Sequence, residues 1–94
     1  MRRAARIDDN QKEIIAAFRK AGCSVKPVHT IKGFVDIIVG LNGRNILVEI
    51  KDGNKPKSAR KLTTAESEFH KQWKGQVCIV ESVADVAAIL EKAA

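Results

Sequence analysis

Two short apolar runs each carry charged residues that could do chemistry. Asp36 interrupts the run 34–40, and Glu49 and Lys51 lie in the run 45–51. A charged side chain is costly to bury in a strand unless something offsets its desolvation. The two carboxylates and the lysine therefore indicate a site with a function of its own.

The segment between the two runs predicts how these three residues meet. Asn42-Gly43 is typical of a two-residue type I′ hairpin turn, which sets Asp36 directly opposite Glu49. Lys51 lies two residues beyond Glu49 and so points to the same face. Opposed carboxylates repel each other, and a bound divalent cation would reverse that penalty. The pattern indicates a metal-dependent catalytic site on one face of a hairpin whose other face is apolar.

Oxygen ligands of this kind suit Mg²⁺ or Mn²⁺, whereas zinc prefers histidine and cysteine. Such a metal with a nearby lysine can support phosphodiester hydrolysis, because Lys51 can orient water and counter developing negative charge. The alternative is a structural ion pair between Lys51 and Asp36 or Glu49. Buried ion pairs are poor stabilisers, however, so we favour the catalytic interpretation.

Composition narrows the class of protein. The 94 residues predict a single domain, 1–94, and the net charge of +6 with a pI near 9.6 favours a polyanionic partner such as nucleic acid. No apolar run approaches the ~20 residues that span a bilayer, and residues 1–6 are basic without a secretion signal's apolar stretch. We therefore expect a cytoplasmic protein with no membrane partner, and we expect Cys23 and Cys78 to be small buried residues on strands.

The elements that must position the three charged residues can be read along the chain. The predicted order is α-β-β-β-α-β-α, an α/β fold with a mixed β-sheet flanked by helices on both faces. Asp8 or Asp9 caps the first helix, which ends at about Ala21 before Gly22. Thr63 and Glu66 form a capping box that opens the second helix. The predicted spans are 34–40 and 45–51 for the hairpin, 23–29 and 76–81 for the outer strands, 63–74 for the second helix and a last helix after 82.

The sequence also resembles that of a known protein family. Gly33-Phe34-Val35-Asp36, then Glu49-Ile50-Lys51, then Leu62-Thr63 and a helix with Phe69 and Trp73, resembles the PD-(D/E)XK nuclease superfamily. Within it, the chain resembles small stand-alone VRR-NUC domains of phages and bacteria, over nearly its whole length. The resemblance implies a restriction-endonuclease-like core.

The resemblance also implies roles for individual residues. Asp36 and Glu49 match the metal-binding carboxylates, and Ile50 matches the position whose main-chain carbonyl completes the metal shell. Lys51 matches the lysine that orients or activates the attacking water. Glu13, on the first helix, matches an additional acid of the catalytic and metal site, although a charged residue on an amphipathic helix is often simply solvated.

The chain departs from the family pattern at two positions. Val35 stands where the family often has proline, which changes local stiffness and leaves the chemistry intact. Glu66 stands where relatives commonly carry glutamine. A carboxylate there could serve only as a helix cap, or it could alter metal or DNA contacts.

The segment after Lys51 is strongly basic, with Lys55, Lys57, Arg60 and Lys61. Such a loop can be merely solvated, but its position could hold a phosphate backbone against the metal. We expect Arg60→Ala to weaken DNA binding and flatten its salt dependence. Arg2, Arg3 and Arg6 could add a basic arm.

The favoured function is therefore a Mg²⁺- or Mn²⁺-dependent DNA endonuclease, and the resemblance to VRR-NUC domains implies selectivity for branched DNA of the Holliday-junction or flap type. Symmetric cutting of two strands would be easiest for a homodimer. The alternatives are a non-catalytic DNA-binding module, an RNA nuclease, or a nuclease subunit that needs a partner. No small-molecule cofactor is expected.

Overall fold

The computed structural model describes residues 9–93, with side chains to Lys92, and has an α/β fold. A four-stranded mixed sheet is accompanied by three helices, in the order predicted from the sequence. The strands are β1 (Ser24–Pro27), β2 (Ile37–Leu41), β3 (Arg44–Ile50) and β4 (Val77–Val80). The helices are α1 (Gln11–Lys20), α2 (Thr64–Gln72) and α3 (Val83–Ala93), with a short 3-10 turn at Lys57–Ala59 that the sequence did not predict.

The sheet has the order β1-β2-β3-β4, with β1, β2 and β3 antiparallel and β4 parallel to β3. The β2–β3 hairpin confirms the predicted turn, because Asn42 and Gly43 both have positive φ, at 53° and 78°. Leu41 pairs with Arg44, which is the register that the turn requires. The Asp36 N–H donates to the Val48 carbonyl at 3.1 Å. Val48 already pairs with Ile37, so the regular register of the hairpin ends at Ile37.

The hydrophobic core lies on the sheet face that α1 and α3 cover. Alternate residues of the strands point to this face and pack against Ile14 and Phe18 of α1 and Val86 of α3. Helix α1 ends at Lys20, close to the predicted end at Ala21, and the predicted stop Gly22 has a φ of 95°. The Gly22 N–H donates to the Arg19 carbonyl and the Cys23 N–H to the Phe18 carbonyl, at 3.0 and 3.1 Å. These two bonds form a Schellman motif. The core strand residues are Ile37, Val39, Ile46, Val48, Ile50 and Val80.

The start of α1 differs from the prediction. The helix begins at Gln11, so the cap expected at Asp9 is wrong, while Asp8, like Arg2, Arg3 and Arg6, lies outside the described residues. Asn10 precedes the helix and makes no side-chain cap. Its amide instead donates to the carbonyls of Lys51 and Glu81, both at 3.1 Å. Asn10 therefore ties the start of α1 to the ends of β3 and β4, a long-range contact that local capping rules do not describe.

Helix α2 lies over the other face and is fixed at both ends. Its predicted capping box is present, with the Thr63 hydroxyl accepting from the Glu66 N–H at 3.1 Å. The helix ends at Gln72, two residues earlier than expected, because Trp73 is extended. The Phe69 ring packs between Phe34 and Trp73, with centroid distances of 5.3 and 5.1 Å.

Helical cover of this second face is incomplete, unlike the prediction. No residue of α2 is fully buried, and Ile79 of β4 keeps 42% of its surface exposed. Within residues 9–93 no helix is long and apolar enough to cross a membrane.

Candidate active site

Asp36 and Glu49 come together at the end of the hairpin, although the regular register stops one residue before Asp36. Asp36 lies just before β2 and Glu49 near the end of β3, beside the last residue pair of the two strands. The Asp36 Oδ2 atom accepts a hydrogen bond from the Ile50 N–H at 2.7 Å, which fixes the aspartate against the end of β3. Glu49 is only 3% exposed, although its face of the sheet is incompletely covered.

Lys51 brings a third carboxylate into the same cluster. Its Nζ lies 2.9 Å from Glu66 Oε1 and 3.8 Å from Glu49 Oε2, and its side chain is 12% exposed. The shorter contact is a hydrogen-bonded ion pair, whereas 3.8 Å exceeds hydrogen-bond distance. The Lys51 charge is therefore held mainly by Glu66.

Glu66 both caps α2 and pairs with Lys51. Its Oε1 atom accepts from the Thr63 N–H at 2.9 Å in the capping box and from Lys51 at the same distance. The start of α2 is thereby joined to the end of β3. The capping motif identified the residue, but only the fold shows that its carboxylate enters the site.

The pKa values of Glu49 and Glu66 are shifted in opposite directions. Burial raises the pKa of Glu49 to about 9, and the negative charges of Asp36 and then Glu66 contribute to the increase. Burial also acts to raise the pKa of Glu66, but hydrogen bonds from the Thr63 N–H and Lys51 outweigh it, so that pKa lies below its usual value. At neutral pH the arrangement favours a protonated Glu49 beside an ionised Glu66 in the metal-free protein.

A cavity of about 370 Å³ opens over these side chains. Asp36, Glu49, Lys51 and Glu66 line it, and Lys55 and Lys61 add two positive charges to its wall. Cations surrounding a cavity with carboxylates at its base can hold an anionic substrate against a metal-binding centre. Two of the four basic residues predicted to bind nucleic acid therefore lie at the site.

The other two basic residues lie elsewhere. Lys57 is exposed in the 3-10 turn. The Arg60 side chain donates to the Lys55 carbonyl at 2.8 Å and pairs with Glu81 at 3.1 Å. Arg60 thus links the loop at Lys55 to Glu81. It also lines a second cavity, of about 470 Å³.

Glu13 also lines the second cavity, and the structure does not bring it to Asp36, Glu49 and Lys51. The physical reason is the orientation of α1, which packs Ile14 and Phe18 on the opposite face of the sheet. Glu13 itself is exposed. Its expected place in the metal site is not supported by this geometry.

The donors at the site decide which metal they would suit. Among residues 9–93, no group of three or more His, Cys, Asp and Glu side chains is already arranged to hold a metal ion. The site nonetheless offers the carboxylates of Asp36 and Glu49, which are hard oxygen donors that suit Mg²⁺ or Mn²⁺. Burial, and then repulsion from Asp36 and Glu66, raises the pKa of Glu49, and a bound cation would relieve the repulsion. The donor chemistry therefore fits a divalent cation that keeps part of its water shell.

Comparison with known proteins leaves the classification at the level of the fold. No protein-family model, curated protein or solved structure matches the chain. The structure itself defines an α/β protein with a four-stranded mixed sheet and three helices.

Proposed function

We propose that this protein is a divalent-metal-dependent endonuclease that hydrolyses phosphodiester bonds of DNA, selectively in branched DNA. The observation that carries the proposal is the convergence of Asp36, Glu49 and Lys51 in one cavity whose wall adds Lys55 and Lys61. Charges of both signs at the end of a buried strand contribute little to stability by themselves. They suit the hydrolysis of an anionic ester.

Asp36 and Glu49 would hold the metal, with the Ile50 main chain beside them. A bound Mg²⁺ or Mn²⁺ would supply an acidified water and neutralise charge on the phosphate. Asp36 is already oriented for this by the Ile50 N–H at 2.7 Å. Glu49 must lose its proton to bind a cation, so binding is coupled to proton release.

Lys51 would act on the substrate. Its ammonium group is held 2.9 Å from Glu66, which fixes the end of a long flexible side chain at the cavity. From there it can hydrogen-bond the attacking water and stabilise negative charge that develops on the phosphate. Glu66 is thus a positioning residue, and it also reduces the net positive charge that the lysine presents.

Lys55 and Lys61 would contact the phosphate backbone on either side of the scissile bond. Contacts of this kind position nucleic acid without reading its sequence, and we identify no base-reading helix among α1, α2 and α3 of residues 9–93. Selection by DNA structure is therefore favoured over selection by sequence. Lys57 is exposed in the adjoining turn and does not line the cavity.

The second candidate is a DNA-binding module without catalysis, favoured by the bond that Lys51 makes to Glu66 at 2.9 Å, which could be a structural ion pair. An RNA nuclease, or a subunit that becomes active with a partner, has the same site chemistry. These functions differ in what is cut and under which conditions.

The test is cleavage of labelled four-way junction, flap and linear duplex DNA, with single-stranded and duplex RNA alongside, in Mg²⁺, Mn²⁺ or EDTA. Asp36→Asn is the inactivating variant, and Glu68→Gln, which neutralises an exposed carboxylate of α2, is its matched control. We expect metal-dependent cutting of branched DNA that Asp36→Asn abolishes and Glu68→Gln retains, with circular dichroism showing both folded. Binding without cutting under every condition would support the non-catalytic module instead, and preferential RNA cleavage would reassign the substrate.

A further inference from the structure

Strand β4 forms one edge of the sheet and lacks the features that keep edge strands unpaired. Its sequence, Val77–Val80, contains neither charge nor proline, and Ile79 is 42% exposed. The opposite edge, β1, carries Lys26 and Pro27. Charges and proline on an edge prevent pairing with another chain, and an apolar edge without them invites it.

The backbone of β4 shows which groups are available for such pairing. The carbonyls of Gln76 and Val80 accept from β3, from the N–H groups of Leu47 and Lys51 at 3.1 and 3.0 Å. Backbone groups alternate in direction along a strand, so those of Val77 and Ile79 point away from the sheet. Among residues 9–93 no hydrogen bond satisfies them.

We infer that two copies of this chain pair through β4, antiparallel about a two-fold axis, with Val77 opposite the partner's Ile79 and Cys78 opposite the partner's Cys78. This register uses all the outward N–H and C=O groups of Val77 and Ile79. It also covers each exposed Ile79 with an apolar side chain. Cys78 then occupies a non-hydrogen-bonded pair, in which opposed Cα atoms lie ~4.5 Å apart.

Neighbouring registers fit less well. Placing Ile79 opposite itself would pair Val77 with Glu81, whose N–H already donates to Asp85 and whose carbonyl accepts from Gly53. Placing Val77 opposite itself would set Ile79 against Gly75, which has no side chain to cover it.

Charge at the ends of the strand favours a second copy in antiparallel orientation. Lys74 precedes β4 and Glu81 follows it. Antiparallel pairing sets Lys74 of one copy next to the end that carries Glu81 of the other, whereas parallel pairing would oppose like charges. A hollow of about 290 Å³, lined by Ile46, Cys78 and Ile89 together with the polar side chains of Gln76 and Lys92, lies at the same edge and gives the two Cys78 side chains room to approach.

The pairing would join two four-stranded sheets into one. A two-fold axis perpendicular to that sheet keeps both candidate active sites on the same face. The two β3 strands would be three strand spacings apart, or ~14 Å. The interface does not depend on the proposed activity, but it would give that activity two sites on one DNA-facing surface.

The first measurement is mass by light scattering and sedimentation over a range of concentrations, without DNA or metal. We expect a dimer of twice the 10.3 kDa chain mass. Ile79→Lys should leave only monomer at concentrations where the wild type is fully dimeric. Ser24→Lys, the same kind of change on the exposed β1 edge, should leave the dimer intact.

The second measurement tests the register in a Cys23→Ser background. Copper phenanthroline with dissolved oxygen, as the oxidant of two thiols to one disulfide, should give a covalent dimer that Cys78→Ser abolishes. The reaction is run at pH 9, because burial raises the pKa of Cys78 to about 11. A monomeric wild type, a dimer that survives Ile79→Lys, or a dimer without a Cys78 crosslink would each overturn the inference. Circular dichroism checks that every variant is folded.

Discussion

Glu49→Gln should make the metal-free protein more stable at alkaline pH. The Glu49 carboxyl has a pKa near 4.5 when unfolded and about 9 in the folded protein, chiefly because it is buried. A carboxyl whose pKa is higher in the folded state than in the unfolded state favours folding, and this contribution is complete at a pH low enough to protonate the carboxyl in both states. That contribution is lost as the pH rises above 4.5 toward 9, since the unfolded chain can release a proton that the folded chain retains.

The expected size follows from proton linkage. One proton held only by the folded state costs about 1.4 kcal/mol of unfolding free energy for each pH unit within that range. Glutamine has a similar shape and no proton to release, so the variant should lack this slope. Between pH 7 and 8.5 the difference between the wild type and Glu49→Gln should therefore widen by roughly 2 kcal/mol.

This pH window separates Glu49 from the other perturbed groups. Burial lowers the pKa of His70, so its stabilising contribution is lost as the pH falls below 6.5. The pKa of Glu66 is also lowered, and its contribution is lost at still more acidic pH. Burial raises the pKa values of Cys23 and Cys78 above 9, so their contributions are lost only above that pH.

The assay is urea unfolding in EDTA at pH 7, 7.5, 8 and 8.5, followed by fluorescence of the single tryptophan, Trp73, which packs on Phe69. Glu68→Gln is the control, because it removes an exposed carboxylate of α2. Adding Mn²⁺ in place of EDTA should restore the stability of the wild type most strongly at pH 8.5 and that of Glu49→Gln little. Parallel pH profiles for the wild type and Glu49→Gln in EDTA would refute the reasoning.

Three further substitutions test the supports of the site. Gly53→Ala places a Cβ 2.7 Å from the Glu81 carbonyl oxygen. This crowding should lower the unfolding free energy, measured in urea, by about 1–3 kcal/mol. An unchanged urea midpoint would show that the loop adapts to the added methyl group. Thr63→Ala removes the capping box and should cost about 1 kcal/mol, whereas Thr63→Ser should retain most of it, and equal losses would contradict this role. Lys61→Ala should reduce the slope of log K against log salt by about one in DNA-binding titrations. Arg60→Ala should change that slope less than Lys61→Ala does, because Glu81 already pairs with its guanidinium, and the reverse order would contradict the structural assignment.

Local rules predicted those parts of the fold that local contacts determine. Asn42-Gly43 gave the hairpin and its register because only residues that tolerate positive φ form a type I′ turn. Gly22 gave the end of α1 for the same reason. The start of α1 was predicted wrongly because Asn10 bonds to the carbonyls of Lys51 and Glu81, which are remote in sequence.

The same distinction between local and long-range contacts applies to the candidate site. The register and the alternation of β3 predicted that Asp36, Glu49 and Lys51 converge, and both are short-range properties. Glu66 reaches Lys51 across a loop whose path the sequence does not specify. The place of Glu13 depends on how α1 crosses the sheet, which periodicity alone does not reveal.

The energetics of Glu49 bear on why the cluster contains glutamate. If Glu49→Gln stabilises the metal-free protein, then glutamate is the poorer residue for the fold at neutral and alkaline pH. Its carboxyl is buried beside Asp36 and Glu66 and so retains a proton that the unfolded chain releases, whereas a glutamine amide is neutral in both states. Positions that sacrifice stability in this way are characteristic of functional sites. A cation that replaces the proton would recover the lost free energy, so the instability of the metal-free cluster and its proposed capacity to bind metal have the same physical origin.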